Sequence, residues 1–252
     1  MTQRHPPTPL PASEASPRPT ENAQPETRVD NAVRAITDYI HGQGLKVGDK
    51  LPSEARFAEW LGVSRTVIRE AFKSLSAMRI IEMRAGRRAQ VGGFDGSVIA
   101  LSLTHALRTE QINPQQMWDA RRAVEMRTVA LAAIRRTDAE ATALLALAAQ
   151  MGDSVDDPAR MTEQDIAFHV AIAKATRNPL FPVLVASLTS AIRETNPIVW
   201  RHRRDTDTRR DVVAAHEAIA QAIAAGDPDA ACDALAAHFD LASRALVTAG
   251  FN

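Results

Sequence analysis

Residues 51–75, LPSEARFAEWLGVSRTVIREAFKSL, constrain the fold more than any other stretch. Ser53 is placed to cap a helix, because its hydroxyl can accept from a free first-turn amide. Phe57, Ala58 and Leu61 then recur at helical spacing. Gly62 supplies the left-handed conformation that ends a helix, and Ser64 is a second N-cap. Val67, Ile68, Ala71, Phe72 and Leu75 form the apolar face of the next helix, while Arg65, Thr66, Arg69 and Lys73 fall off that face. Two short helices joined by a tight turn, the second presenting basic and hydroxyl groups, predict a helix-turn-helix able to enter a major groove. The plainer reading is a helical hairpin with a solvated basic face.

Charge distribution favours the first reading. The 252-residue chain carries 30 basic and 30 acidic residues, so net charge names no partner. Between Ser64 and Arg88, however, the seven basic residues (65, 69, 73, 79, 84, 87 and 88) face only two acidic ones (70 and 82). A local excess of that size is an electrostatic footprint for phosphate. After the second helix, Arg79–Met83 is a short β-rich run, 84–88 (RAGRR) is a turn, and Ala89–Val91 can return as a second strand. A hairpin tipped by Arg84, Arg87 and Arg88 reads as a wing that reaches phosphates or a minor groove.

The flanks set the domain plan. Residues 1–28 are a Pro-rich tail expected to be disordered, since residues 1–26 hold seven of the fourteen prolines and almost no large apolar side chains. Residues 29–93 are the DNA-binding domain, opened by a helix from Val29 to Gly42. Residues 94–96 are a linker in a glycine-marked stretch, and 97–248 an all-α domain. Helical patterns there run over about 97–109, 114–136, 138–152, 160–176, 179–204, 207–225 and 228–248, punctuated by Asn–Pro, Asp–Pro and Gly–Asp–Pro steps. Asn196–Pro197 is expected to kink or split the fifth. The fold class is therefore mainly α: a winged helix-turn-helix plus a bundle of about seven helices. A single cysteine, Cys232, rules out an internal disulfide framework. No apolar run reaches membrane-spanning length and no secretory signal stands at the N-terminus, so a cytoplasmic protein without a membrane partner is expected.

The second domain carries a constellation. Asp165 and His169 are four apart on one helical face. His216 lies ten residues before Gly226, and His238 ten residues after Pro228. A chain folding back at that bend brings both histidines to one level, roughly 15 Å from it. Three imidazoles and a carboxylate suit a divalent transition metal (zinc first, then nickel or manganese) with positions left for water or a ligand. An Asp–His pair at this spacing is also common on helix surfaces.

The motifs G-x-L-x-x-G-D-x-L-P-S-E and L-G-V-S-R-T-x-x-R-E-A, followed by a hairpin, resemble the winged-helix domain of the GntR family. The resemblance implies DNA contacts from Arg65, Thr66 and Arg69, with Ser64, Lys73, Arg56, Arg87 and Arg88 as further candidates. Two positions depart from the family pattern. Ala55, followed by Arg56, stands where arginine is usual, and Arg88 replaces a second wing glycine. The spacing D-x-x-x-H, then H-E-A-I-x-x-A-I-x-x-G-D, then a late histidine, together with D-A-R-R-A-V-E at 119–125, is similar to the FCD domain, the effector module of the FadR subfamily. That resemblance implies metal ligation by Asp165, His169, His216 and His238, and an effector carboxylate gripped by Arg121. Arg122 ranks second, and Arg121 can alternatively pair with Glu125 one turn on. Asn178, Arg193 and Trp200 are further effector candidates. The LPSEA run and F-K-S-L-S-A-M-R-I-I-E-M-R are similar to sugar-acid regulators of the galactonate type.

These readings converge on a metabolite-responsive regulator. As a homodimer it would repress from a pseudo-palindromic double-stranded operator and be released by a small carboxylate. Two alternatives stay open at this point. One is a metal-dependent enzyme acting on a small carboxylate and fused to a DNA anchor. Against it, Glu163 and Glu217 neighbour the ligands in sequence but point elsewhere on their helices, leaving no clear general base. The other is a DNA-binding dimer with a purely structural metal.

Overall fold

The computed structural model describes residues 27–189, 193 and 206–248, with side chains described from 209 onward in the last stretch. Two compact units meet in the sequence between Val98 and Ile99.

In the first unit, helix α1 (Arg28–Gly42) begins with a capping box. The Thr27 hydroxyl accepts from Asp30 N at 3.1 Å, and Asp30 Oδ2 accepts from Thr27 N at 3.1 Å. Helix α2 (Glu54–Leu61) and helix α3 (Arg65–Ala77) follow the sequence signals closely. Ser53 Oγ accepts from Arg56 N and Ser64 Oγ from Val67 N, each at 3.3 Å, and Gly62 ends α2 at φ +63°. The faces these caps orient bury Phe57, Ile68, Phe72 and Leu75 against Ile36, Tyr39 and Ile40 of α1. Strand β1 (Ile81–Glu82) pairs antiparallel with β2 (Gln90–Val91), Ile81 opposite Val91. The far side of β2 takes the segment before α2, through Gly48 N to Val91 O, Val91 N to Asp49 O and Leu51 N to Ala89 O, all 2.9 Å. That pairing ties the wing to the helical core, with Leu51 fully buried at the join.

A clasp closes this unit. Past the end of α3, Arg79 takes a left-handed conformation (φ +61°), unusual for a residue with a side chain. Its guanidinium reaches Asp95 Oδ2 through Nε at 3.1 Å and Nη2 at 2.6 Å. Asp95 Oδ1 in turn accepts from Ser97 N (3.0 Å) and Ser97 Oγ (2.7 Å), at the first residue of helix α4 (Ser97–Arg108). Gly92 passes so close behind Arg79 that a Cβ there would lie 2.1 Å from the Arg79 carbonyl oxygen.

The described residues of the second unit form helices joined by short turns and no strand. Helix α5 (Pro114–Arg135) is capped by Asn113, α6 (Asp138–Met151) by Thr137 and α7 (Pro158–Ala175) by Asp157, each through a side-chain oxygen. A 3-10 turn, Gly152–Ser154, follows α6. Helix α8 is described over 180–189. Asn196–Pro197, the expected kink, lies outside the described residues. Helices α9 (Thr206–Ala225) and α10 (Pro228–Thr248) form a hairpin. Gly226 turns the chain at φ +75°, and Asp227 caps α10 by accepting from Asp229 N and Ala230 N. Trp118, Val129, Phe168, Ile172, Ile219, Leu235 and Phe239 build the core, with α5 packed between α7 and α10. No helix among the described residues is long and apolar enough to cross a membrane.

Candidate functional site

The first unit offers a basic cleft. About 490 Å³ of space opens between the start of α2 (Pro52, Ser53, Glu54, Ala55), the exposed face of α3 (Arg65, Arg69) and the wing (Met83, Arg84, Gly86, Arg87, Arg88). Ser64, Arg65, Thr66, Arg69, Lys73, Arg56, Arg87 and Arg88 are all exposed. Glu54 lies 3.5 Å from Arg69 Nε and so biases that side chain toward the cleft. Lys73 pairs with Glu70 on its own helix at 2.9 Å, and Arg84 with Glu82 at 3.1 Å. Both sequence departures, Ala55 and Arg88, line this one cleft.

The second unit gathers Asp165 and His169 from α7, His216 from α9 and His238 from α10 into one buried cluster, their ligating atoms all within 4.8 Å of one another. The His216 and His238 rings are 4.5 Å apart between centroids, which is the meeting expected of two residues equidistant from one bend. The tautomers follow from the partners. His216 Nδ1 lies 2.7 Å from the Val212 carbonyl, which only an N–H can satisfy, so in the neutral ring the lone pair is on Nε2. That Nε2 stands 3.1 Å from Asp165 Oδ1. Two acceptors so close need a proton or a cation between them. Glu125 of α5 likewise takes the Nδ1 side of His169, leaving Nε2 toward Asp165 at 3.6 Å. Both nitrogens of His238 are buried with no hydrogen-bond partner among the described residues. Burial, with His216 and His169 beside it, holds His238 well below the ordinary imidazole value, so its ring is neutral and free to donate a lone pair. An unpartnered neutral imidazole, two imidazoles with oriented Nε2 atoms and a carboxylate fit a divalent metal by their donor chemistry.

Arg121 sits against this cluster. It is 1% exposed, with Nε bonded to Glu125, Nη2 3.3 Å from Asp165 Oδ2 and Nη1 without a partner among the described residues. Burial pulls its pKa down, but Glu125 and Asp165 outweigh burial and hold the guanidinium above its ordinary value. Burial pushes Glu125 and Asp165 up, yet Arg121 and His169 win, and both carboxylates stay ionised with Asp165 well below its usual range. His169 responds in the opposite sense. Burial lowers it, while Glu125 and Asp165 raise it above the ordinary value.

The remaining expected effector residues lie elsewhere. Arg122 pairs with Asp240 at 2.6 Å and is partly exposed. Asn178 Oδ1 accepts from Leu180 N at 3.0 Å, capping the start of α8. Arg193 pairs with Glu163 at the surface, at 2.7 Å. Trp200 lies outside the described residues. Sequence reasoning assigned Glu125 only as a partner of Arg121 and missed its grip on His169; the four-residue spacing from Arg121 was the one available signal.

A winged helix-turn-helix joined to a helical bundle with a buried polar centre defines a DNA-binding regulator that senses a ligand. The comparisons agree. Residues 28–91 match the bacterial regulatory proteins of the gntR family, and residues 116–241 match the FCD domain. The HTH-type transcriptional regulator LutR of Bacillus subtilis (strain 168) is 33% identical over 197 residues, covering 77% of this chain and 90% of the relative. The galactonate operon transcriptional repressor of Escherichia coli (strain K12) is 29% identical over 198 residues, covering 76% and 84%. The solved structure of Streptococcus agalactiae GntR is 27% identical with a TM-score of 0.63, covering 86% of this chain and 99% of that one. The chain belongs to the GntR family of bacterial regulatory proteins and carries an FCD effector domain. It is a metabolite-responsive transcriptional regulator and not an enzyme. The reading as a metal-dependent enzyme acting on a small carboxylate is accordingly not favoured, and Glu163 is engaged by Arg193.

Proposed function

We propose that the protein acts as a homodimeric repressor on a pseudo-palindromic operator, released when a small carboxylate binds beside a divalent metal, zinc by preference. On the DNA side, Arg65 and Arg69 reach guanine edges or phosphates. Ser64, Thr66, Lys73 and Arg56 position α3, and Arg87 and Arg88 bring the wing to the backbone. One recognition helix reads only a few base pairs, which is why two half-sites and two subunits are invoked.

The observation that carries the effector reading is the buried Arg121. Its guanidinium is committed on two nitrogens and, among the described residues, unpartnered on the third, directly beside the Asp165, His169, His216 and His238 cluster. The four side chains would hold the metal, which supplies a Lewis-acidic position for a ligand oxygen. Arg121 orients the carboxylate through its free Nη1, and Glu125 keeps both Arg121 and His169 in place. The relative named for a galactonate operon supports a sugar acid as the first carboxylate to try. Such a ligand changes DNA affinity only by binding the competent and incompetent arrangements of the regulator differently.

The test is fluorescence anisotropy on a fragment from the promoter of the regulator's own operon, using zinc-loaded protein and a panel of carboxylates. One acid is expected to lower operator affinity with metal present and not in chelator. His238→Ala is expected to lose stoichiometric metal and the response while still binding DNA. Acid response that persists in the metal-free His238 variant would falsify the metal-assisted reading.

A further inference from the structure

Trp118 stands one turn before Arg121 on α5 and is 5% exposed, yet its indole Nε1 has no hydrogen-bond partner among the described residues. A buried indole N–H ordinarily finds an acceptor, because leaving it stranded forfeits the hydrogen bond it had with water. The contact with Phe239 does not by itself account for the choice of residue. The ring meets Phe239 edge-on at 5.6 Å, a contact that a phenylalanine would also make without stranding a donor. The Arg121 guanidinium carbon lies 4.9 Å from the Trp118 ring centroid, and Arg121 Nη1 is also an unpartnered donor among the described residues. Phe239 is shared in turn with His238, whose ring lies 5.5 Å from it, so the two donors adjoin the imidazole cluster.

We infer that the Trp118 indole N–H and Arg121 Nη1 act as a donor pair for the two oxygens of one carboxylate, making Trp118 a ligand-positioning residue as well as a core side chain. The inference rests on the carboxylate-effector reading above and deepens it. Two buried donors from adjacent turns of one helix, each short of one acceptor, match an ionised carboxylate, which accepts on both oxygens. A neutral amide offers only one acceptor oxygen for the two donors and no charge to pair with the guanidinium.

Zinc-loaded full-length protein is titrated calorimetrically with D-galactonate and with acetate, in wild type and in Trp118→Phe. The phenyl ring can keep an edge-on contact with Phe239 and removes the N–H together with the five-membered ring. The expected result is that at least one acid binds wild type and binds Trp118→Phe about tenfold or more weakly, with metal stoichiometry unchanged. Equal affinity in both proteins overturns the role of Trp118 and leaves the carboxylate reading standing. Binding of neither acid to wild type overturns both. A second measurement needs no Trp118 variant: the Trp118 indole ¹⁵N–¹H resonance is assigned with Trp60→Phe and Trp200→Phe proteins and followed during titration. It is expected to move when the acid binds, and a resonance that stays in place at saturation refutes the contact even if Trp118→Phe fails to fold.

Discussion

Replacing Arg121 by methionine keeps a long flexible side chain in the core and removes only the charge and its donors. In metal-free protein this leaves Glu125, 2% exposed, and Asp165, 7% exposed, with His169 as their remaining cationic neighbour. Removing one partner of a buried ion pair costs about 3–5 kcal/mol, chiefly because the surviving charge is stranded. For a chain of this size that corresponds to a fall of roughly 6–20 °C in the melting temperature of the helical unit. Metal changes the sum. A divalent cation on Asp165 restores the missing positive charge, so the deficit should shrink in zinc-loaded protein. The assay is thermal unfolding by circular dichroism of wild type and Arg121→Met, each in chelator and in excess zinc. A metal-free variant melting within about 2 °C of wild type would mean that the guanidinium is not holding the two carboxylates together. An identical deficit in zinc and in chelator would mean that the metal does not bear on Asp165.

Three further outcomes are expected. Arg69→Ala should weaken operator binding by about 1–3 kcal/mol if its side chain reads a base, with a shallower salt dependence if it instead meets phosphate; an affinity and slope both unchanged in anisotropy titrations remove Arg69 from the interface. Gly92→Ala would place a methyl 2.1 Å from the Arg79 carbonyl, so the wing must shift, at about 1–3 kcal/mol of stability and with loss of operator binding; a variant that melts and binds like wild type contradicts that packing. Asp95 is held at about 2 by its hydrogen bonds from Ser97 and by Arg79. Its folded pKa is depressed, so the stability it contributes is present above the ordinary carboxylate value near 4 and fades as pH falls toward 2. The melting-temperature gap between wild type and Asp95→Asn should therefore be constant from pH 7 to about 5, narrow below about 4 and close toward about 2; a gap that widens on acidification refutes the assignment.

Much of the fold was legible because the signals are local. Ser53, Gly62 and Ser64 act within one turn of themselves, and each stands in the role its residue type dictates. The meeting of His216 and His238 was legible for a related reason: helical rise converts ten residues into a height, and one bend supplies the symmetry. Partner choice across helices was not legible. Helical periodicity says that Arg122 and Arg193 lie on faces where they can reach something, yet Asp240 and Glu163 become their partners only once the helices pack. Glu125 illustrates the same limit, since its four-residue step to Arg121 is visible in the sequence while its contact with His169 depends on how α5 lies against α7. The left-handed Arg79 escaped because nothing but the close passage of Gly92 and the reach to Asp95 singles it out.

The α9–α10 hairpin has a mechanical property set by where its histidines fall. Thr206, His216 and Gly226 are evenly spaced along one arm, and Pro228, His238 and Thr248 along the other. Each histidine thus stands ten residues from the bend, which acts as pivot. In a stiff hairpin, opening or closing the gap between the two imidazoles by about 1 Å moves Thr206 and Thr248, twice as far from the bend, by about 2 Å. The hairpin amplifies a change at its histidines with distance from the turn.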